Sequence, residues 1–519
     1  MKQIEITHEN AHQEENESYI ILAMKQNAKN GDTYMSYVDL YEKCLRKNPQ
    51  LTPEEFSADL DVLLSERRVI VEDDWLYLAN IWHSEQTAAH CLAHILTADN
   101  NSLPVLLPPR VMPDANALCA EQVAAVTMAL QHRVSLILGG AGSGKSTIIP
   151  AICSCSHLRS QEMVLCAPTG KAARIMSQKS GRDAHTVHTA LGIHSDEDFC
   201  QSVSWPNIRL VIVDECSLLT LPMLAAILDR VPANCHVVMI GDHQQLPGVG
   251  AGNIIPDLLR LGVPHIFLTE NHRQDRNAEA LSYNAIHFAD LHRITDLKTD
   301  SSFSIEDLTE QETLDRIVSE AVSRYRAGES VQVLTPFSES AGSILSTKHL
   351  NLRIRDAVNP LNTHKAFLLY KKMMFITGDR VMITQNDREK GVCNGDIGIL
   401  HIVSNEKDNA DFYIEMPDGR MPRWSGFEVM PALSQLMLAY ALTVHKAQGS
   451  EFDCVMIALT MGMQGMLHRN LLYTAITRAR KQVLIIGNAL AVDIAMQRNA
   501  AKRKSMLVKK TMLHIKGTA

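Results

Sequence analysis

No stretch of this sequence approaches the ~20 consecutive apolar residues that a bilayer-spanning helix needs. The opening residues, MKQIEITHENAHQEENE, lack the apolar centre of a secretory signal. Disulfide architecture is missing too: the 11 cysteines are odd in number and follow no repeating framework, which favours reduced thiols. These absences predict a soluble, cytoplasmic protein with no membrane partner. Excess positive charge is also lacking. A net charge of -8 and a pI near 6.3 exclude a histone-like binder, yet leave room for a local basic groove. There is no internal repeat, no low-complexity segment and no nuclease-like cluster of carboxylates. What remains is ordinary globular material, 46% hydrophobic and 21% charged over 519 residues, enough for three or four compact units.

The first 98 residues read as three helices followed by a hairpin. Ser18 opens the first helix, Ser36 the second, and Thr52-Pro53-Glu54-Glu55 is a capping box with proline at the first helical position. Two short apolar runs, Val69–Val71 and Trp75–Leu78, flank an acidic turn. This order predicts a winged-helix-like module, a surface for DNA or for protein partners. Residues 99–114, rich in proline and polar side chains, read as a linker.

Beyond the linker, short apolar strands alternate with helices: Val134–Leu138, Met163–Ala167, Leu210–Val213 and His236–Ile240. That alternation predicts an α/β fold with parallel sheets and ligands at the carboxyl ends of strands. A second such region is expected from about Val263. Strand-and-turn sequence interrupts it between 378 and 431, and it resumes with Leu436–Leu442. The last 29 residues, 491–519, carry Arg498, Lys502, Arg503, Lys504, Lys509, Lys510 and Lys516 and read as a solvated basic tail, with a DNA-contacting tail as the alternative.

Gly139-Gly140-Ala141-Gly142-Ser143-Gly144-Lys145-Ser146, followed by Thr147, matches the P-loop pattern directly after an apolar strand. Its glycines let backbone N–H groups curl around phosphate oxygens at the positive end of a helix. Lys145 is expected to meet the β- and γ-phosphates and Ser146 to ligate Mg²⁺. Val211-Ile212-Val213-Asp214-Glu215 supplies the partner carboxylates: Asp214 for the metal, Glu215 to orient and deprotonate the attacking water. ATP and Mg²⁺ are the expected cofactors.

Further motifs follow in a fixed order. Gln122 lies in a segment resembling the Q motif. Ala167-Pro168-Thr169-Gly170-Lys171 resembles motif Ia, and His185-Thr186-Val187-His188 motif Ib. Gly241-Asp242-His243-Gln244-Gln245-Leu246-Pro247 resembles motif III, and LTENHR, ending at Arg273, motif IV. Thr443-Val444-His445-Lys446-Ala447-Gln448-Gly449-Ser450-Glu451 resembles motif V. Tyr473-Thr474-Ala475-Ile476-Thr477-Arg478-Ala479 resembles motif VI. Together they resemble superfamily 1 helicases, and the wording of the last two is similar to the RecD-like, 5′→3′ branch.

That resemblance implies two RecA-like lobes, 1A over 115–262 and 2A over 263–377 plus 432–490. It also implies an SH3-like insertion, 2B, over 378–431 and places the hydrophilic stretch 194–207 where the family carries a small pin, 1B; read from its residues alone, that stretch fits a plain surface hairpin equally well. It implies nucleotide contacts from Gln122, the P-loop and Glu451, γ-phosphate sensing by Gln245, and arginine fingers at Arg273 and Arg478. It further implies DNA contacts at Pro168, Thr169, His188, Thr443 and His445. The implied activity is ATP-driven translocation on single-stranded DNA, with separation of duplex at single-strand/duplex junctions, by a monomeric motor. The alternative is a translocase subunit of a larger DNA-processing complex. Trp424 and Phe427 are candidates for base stacking, against a core role. Two departures stand out: Ala141 where relatives often have proline, and Cys216 where alanine is common.

Overall fold

The computed structural model describes residues 18–98, 103, 118–193, 205–232, 234–270, 278–338, 343–405 and 409–518. The N-terminal module runs α1 (Tyr19–Lys29), β1 (Met35–Ser36), α2 (Tyr37–Lys47), α3 (Pro53–Ser65), β2 (Val69–Glu72) and β3 (Trp75–Leu78), with an antiparallel sheet ordered β1-β3-β2. Side-chain caps start its helices: Ser36 Oγ accepts from Asp39 N at 3.0 Å, and Thr52 and Glu55 close a reciprocal capping box. The β2–β3 turn is tight because Asp73 and Asp74 both take positive φ (50° and 65°), the backbone a two-residue hairpin of matching twist requires. Ile20, Leu40, Phe56 and Leu60 fill the core between these elements.

The next helix, α4 (Ala79–Thr97), joins module to motor. Its buried Ala88, Ala89 and Leu92 belong to the core of the first lobe. Of the expected linker, only Leu103 is described; it is buried, and its N–H reaches Leu130 O at 2.9 Å.

The first lobe contains α5 (Ala120–Gln131), β4 (Val134–Gly139), α6 (Lys145–Cys155), β5 (Met163–Ala167), α7 (Gly170–Ser180), β6 (Ala184–Thr186), α8 (Val187–Leu191), β7 (Leu210–Val213), α9 (Leu221–Arg230), β8 (His236–Gly241), α10 (Ile254–Arg260) and β9 (His265–Leu268). Its six strands are parallel in the order β6-β5-β7-β8-β4-β9. Strands β4, β7 and β8 are buried along their whole length, as helices on both faces require. One boundary needs correction. β9 pairs with β4, so the first lobe extends to Leu268 and the second does not begin at 263. The sequence between β8 and β9 carries no marker of a lobe change, because the crossover through α10 is the same βαβ step as those before it.

The second lobe contains α11 (Glu279–His287), β10 (Phe303–Asp307), α12 (Glu310–Arg326), β11 (Val331–Thr335) and α13 (Thr347–Val358). A hairpin, β12 (Phe367–Tyr370) with β13 (Met373–Ile376), leads into the insertion. The insertion holds β14 (Arg380–Ile383), β15 (Ile397–Ser404), β16 (Asp411–Glu415), β17 (Arg423–Ser425), α14 (Val429–Ser434) and β18 (Leu436–Leu438). Its antiparallel sheet is ordered β17-β16-β15-β14-β18. The lobe then resumes with β19 (Ala441–Thr443), β20 (Phe452–Leu459), α15 (Arg469–Ile476), β21 (Ala479–Gly487) and α16 (Ala489–Gln497), giving a parallel sheet β10-β21-β20-β11-β19. The apolar run 436–442 is therefore two strands in two sheets. Its first half pairs antiparallel with β14, its second parallel with β11, and hydrophobicity alone does not distinguish the two environments. The insertion thus closes after 431, at Leu438.

The expected basic tail is also corrected. From Arg498 the chain crosses the first lobe and ends in α17 (Leu507–Thr518), packed on α4. Arg503 donates to the carbonyls of Gly248 (2.7 Å), Gly252 (2.9 Å) and Gly250 (3.3 Å). Lys504 pairs with Asp39 at 3.1 Å and Lys509 with Asp73 at 2.9 Å. Lys510 lies 3.3 Å from Glu85, a fully buried carboxylate that also accepts from Thr33 Oγ1 and Met506 N at 2.9 Å. Lys504, Lys509 and Lys510 of this segment are thus paired within the chain, Lys510 also with Glu72 at 2.5 Å. Lys510→Met would leave the Glu85 charge buried with only neutral donors. We expect the docking of α17 to weaken by about 1–3 kcal/mol, read as faster amide exchange across 507–518. Adding Glu85→Gln should restore much of the protection; unchanged exchange in the single variant would refute the pairing.

Candidate nucleotide and strand-binding site

β4 ends at Gly139 and α6 begins at Lys145, so the intervening loop must reverse over the sheet edge. Gly142 (φ 83°) and Gly144 (φ 77°) make that curl in left-handed backbone, where a Cβ would be strained. Lys145 Nζ donates to Gly139 O at 2.6 Å and Gly140 O at 2.7 Å, holding the ammonium over the loop. Ser146 Oγ accepts from Lys179 Nζ at 2.5 Å. Thr147 turns back to Gly144 O at 2.6 Å.

Two strands away, β7 delivers Asp214 and Glu215. Asp214 N donates to Cys166 O at 3.0 Å, and Glu215 N to Asp214 Oδ1 at 2.9 Å. Burial and the neighbouring Glu215 charge raise the pKa of Asp214 above the usual carboxylate range. Glu215 takes a left-handed backbone, φ 51°, uncommon for a side chain with a Cβ and frequent at functional sites. Cys216 lies beneath them in the core, its Sγ only 2.7 Å from where a Cβ on Gly241 would stand. The close approach explains the glycine that ends β8.

Asp242 follows. Its Oδ1 accepts from Gln244 N at 3.1 Å and its Oδ2 from Gln245 Nε2 at 3.1 Å, which orients Gln245 toward the cleft. From the second lobe, Arg478 is buried and donates to Thr474 O (3.1 Å), Ser450 O (3.4 Å) and Thr477 Oγ1 (3.3 Å). Glu451 pairs with Arg480 at 3.1 Å.

These groups surround a cleft of ≈ 580 Å³ lined by Ala141 to Ser146, Lys171, Lys179, Asp214, Glu215, Gln245, Gly449, Glu451, Thr477, Arg478 and Arg480, a size suited to a nucleotide. The fold therefore gathers most of the expected nucleotide set. Gly139 and Gly140 contribute the carbonyls behind the loop. Gln122 and Thr147 are not in the lining. Gln122 is buried, with its side-chain oxygen accepting from Cys119 N at 3.1 Å. Arg273 and expected pin residues 194–204 lie outside the described residues; of the rest of the pin, Trp205 is buried. Lys171, Lys179 and Arg480 are cationic lining residues that the motif reading did not single out. The two lysines lie eight positions apart on α7, close to one helix face.

The expected strand contacts come from both lobes. Pro168 and Thr169 sit at the end of β5 and His188 in α8, all half-buried; Thr443 ends β19 and is buried, and His445 follows it. The lobes meet here: a Cβ on Gly449 would stand 3.5 Å from Thr169 Oγ1. Burial lowers the pKa of His445, with Arg503 adding to the effect, so the imidazole is a neutral donor or acceptor. The insertion reaches over this face. Arg174 of α7 bonds Asp396 at 2.7 Å, and Arg388 donates to Thr189 Oγ1 at 2.8 Å. Trp424 is a core residue stacked on Phe412, ring centroids 5.2 Å apart. Phe427 instead is 92% exposed. Among the described residues, no helix is long and apolar enough to cross a membrane.

Comparison with known proteins agrees with this geometry. An AAA domain profile matches residues 117–303, a UvrD-like helicase C-terminal domain profile 438–486, and the profile of the ATP-dependent RecD-like DNA helicase SH3 domain 350–416. The ATP-dependent RecD2 DNA helicase of Deinococcus radiodurans is 31% identical over 466 residues, covering 88% of this chain and 61% of that protein. The chain thus spans less than two thirds of that relative's length. The RecBCD enzyme subunit RecD of Mycolicibacterium smegmatis is 26% identical over 476 residues, covering 83% and 81%. A Bacteroides Pif1 structure bound to single-stranded DNA aligns with TM-score 0.44 and 19% identity, covering 72% of this chain and 92% of that one. That likeness is too loose for residue-level comparison.

Proposed function

This chain belongs to the RecD-like superfamily 1 helicases, and on that premise we propose that it couples ATP hydrolysis to 5′→3′ movement along single-stranded DNA, separating duplex ahead of it. The observation that carries the proposal is the shared helix α15. One face of it holds the motif III loop, while Thr477 and Arg478 just beyond its end line the nucleotide cleft. Any shift of the second lobe on its nucleotide therefore moves the loop that carries Gln245.

In this reading the P-loop amides and Lys145 hold the triphosphate, and Glu215 orients a water and takes its proton. Arg478 stabilises the charge that develops on the transferred phosphoryl group. Mg²⁺ fits the donor set. Ser146 Oγ already takes an ammonium donor, and the half-buried Asp214 carboxylate, destabilised by desolvation and by Glu215, gains from a cation. Held by Ser146 and Asp214, it would supply charge neutralisation at the β- and γ-phosphate oxygens. Pro168, Thr169 and His188 in one lobe and Thr443 and His445 in the other would grip alternate phosphates and sugars, with little sequence preference. The motor would act as a single chain, with the N-terminal module open to protein partners.

A second reading, a motor subunit of a larger DNA-processing complex, is favoured by the relatives named as RecBCD subunits. One experiment separates these. Duplexes carrying only a 5′ tail or only a 3′ tail are mixed with the protein and ATP, and strand release is followed alongside ATP turnover. We expect release from the 5′-tailed duplex and strand-stimulated turnover. Preference for the 3′ tail would refute the polarity, and stimulated turnover without release would favour the subunit reading.

A further inference from the structure

One face of α15 holds the motif III loop at several points. Asn470 Nδ2 donates to Gln244 O at 2.9 Å, and Thr474 Oγ1 accepts from Leu246 N at 2.8 Å. Between them in sequence, Tyr473 donates its hydroxyl to Asp242 Oδ2 at 2.9 Å. Positions 470, 473 and 474 share a helix face. Tyr473 differs from the other two because its hydroxyl has a second partner in the nucleotide site: it accepts the backbone N–H of Ala141 at 3.3 Å. The P-loop presses against it closely enough that a Cβ on Gly140 would stand 3.0 Å from the phenol oxygen.

The result is a directed chain of hydrogen bonds that runs from the cleft wall at Ala141 into the buried interior. Tyr473 is 1% and Asp242 0% exposed. Burial, then the Asp242 charge, push the phenol's pKa well above its ordinary value, so it remains a donor. The Ala141 N–H donates to the phenol, the phenol to Asp242 Oδ2, and the same carboxylate oxygen accepts from Gln245 Nε2 at 3.1 Å. Chains of this kind polarise cooperatively in a low-dielectric setting, and an unmade link in one is costly. They also transmit position. A P-loop that shifts on filling moves the N–H, and a second lobe that shifts moves the ring. Either change alters how Asp242 holds Gln245.

We propose that Tyr473 is a positioning residue that links the P-loop, the orientation of Gln245 and the placement of the second lobe. The proposal rests on the reading of this chain as a strand-stimulated ATPase. It explains a consequence of the Ala141 departure: proline at that position has no N–H to donate, so this junction is available here because the residue is alanine.

The experiment measures kcat and KM for ATP with and without saturating oligo-dT, in the wild type and in Tyr473→Phe, Ala141→Pro and Ala141→Ser. Phenylalanine keeps the ring and removes only the hydroxyl. We expect Tyr473→Phe to lower the ratio of strand-stimulated to strand-free kcat about tenfold, the effect of roughly one lost directed bond in the transition state, with KM little changed. Ala141→Pro should lower the ratio in the same direction by about threefold. Ala141→Ser, which retains the N–H, should keep the wild-type ratio of strand-stimulated to strand-free kcat, whatever the added hydroxyl does to the two rates together. A purely structural role would reduce the active fraction equally in both conditions and leave the ratio intact. A wild-type protein with no strand-stimulated turnover would overturn the underlying motor reading. A stimulated wild type with an unchanged ratio in Tyr473→Phe would overturn the junction. Were Tyr473→Phe not to fold, an unchanged ratio in Ala141→Pro would overturn it equally.

Discussion

Arg478→Ala is expected to lower strand-stimulated kcat by about 10³–10⁵-fold while changing ATP affinity far less. The guanidinium is buried, and its donors are engaged by its own lobe, at Thr474 O, Ser450 O and Thr477 Oγ1. It is therefore held at the cleft wall before any nucleotide arrives, the preorganisation that makes a charged donor effective in a water-poor site. Lysine is not an adequate replacement. Its single ammonium lacks the planar fork that can keep backbone contacts on one side and present N–H groups on the other. Single-turnover hydrolysis with excess enzyme would isolate the chemical step. A variant within tenfold of the wild type in that measurement would remove Arg478 from the transition state and return it to a structural role in joining α15 to the loop at Ser450.

The parts of this protein legible in its sequence are those where local chemistry and spacing coincide. Strands β4, β7 and β8 are buried and largely apolar because both faces are covered, and a residue the chemistry needs stands at or directly after the end of each: Gly139, Asp214 and Asp242. The capping box at Thr52 marks its helix because all of its contacts lie within four residues. The features that escaped depend on partners distant in sequence. Glu85 is reached by Met506 from 421 positions away, so the basic segment read as a solvated tail while its counter-charges sat in the first hundred residues. The run 436–442 looked like one strand because apolarity records burial and not which sheet provides it. Tyr473 was visible inside motif VI but carried no assigned role. Its two hydrogen-bond partners lie in different motifs of the other lobe, and no spacing rule connects them. Phe427 and Trp424 looked alike in sequence. Only pairing of β16 with β17 puts Trp424 opposite Phe412 and leaves Phe427 outside that sheet.

Glu215→Gln should separate binding from chemistry more cleanly than any other change in the cleft. Glutamine keeps the volume, the Cβ and thus the same left-handed backbone cost at φ 51°, so the fold should be unaffected. What is lost is the ability to take a proton from the attacking water, a contribution of about 10²–10⁴-fold to kcat. Lys145, Ser146, Asp214 and Arg478 remain, so ATP should still bind and the lobes should still close on it. The variant is then expected to accumulate in the ATP-bound state, and its affinity for single-stranded DNA should continue to depend on whether ATP is present. Arg478→Ala predicts the opposite pattern, because removing the contact from the second lobe weakens the nucleotide's hold on lobe position. Its strand affinity should respond to ATP less than that of the wild type. Fluorescence anisotropy of a labelled oligonucleotide, with and without ATP, distinguishes the two. If both variants lost hydrolysis yet showed the same nucleotide-dependence of strand binding, lobe closure would not run through Arg478. The link between the nucleotide cleft and the strand would then have to run through other contacts between the lobes.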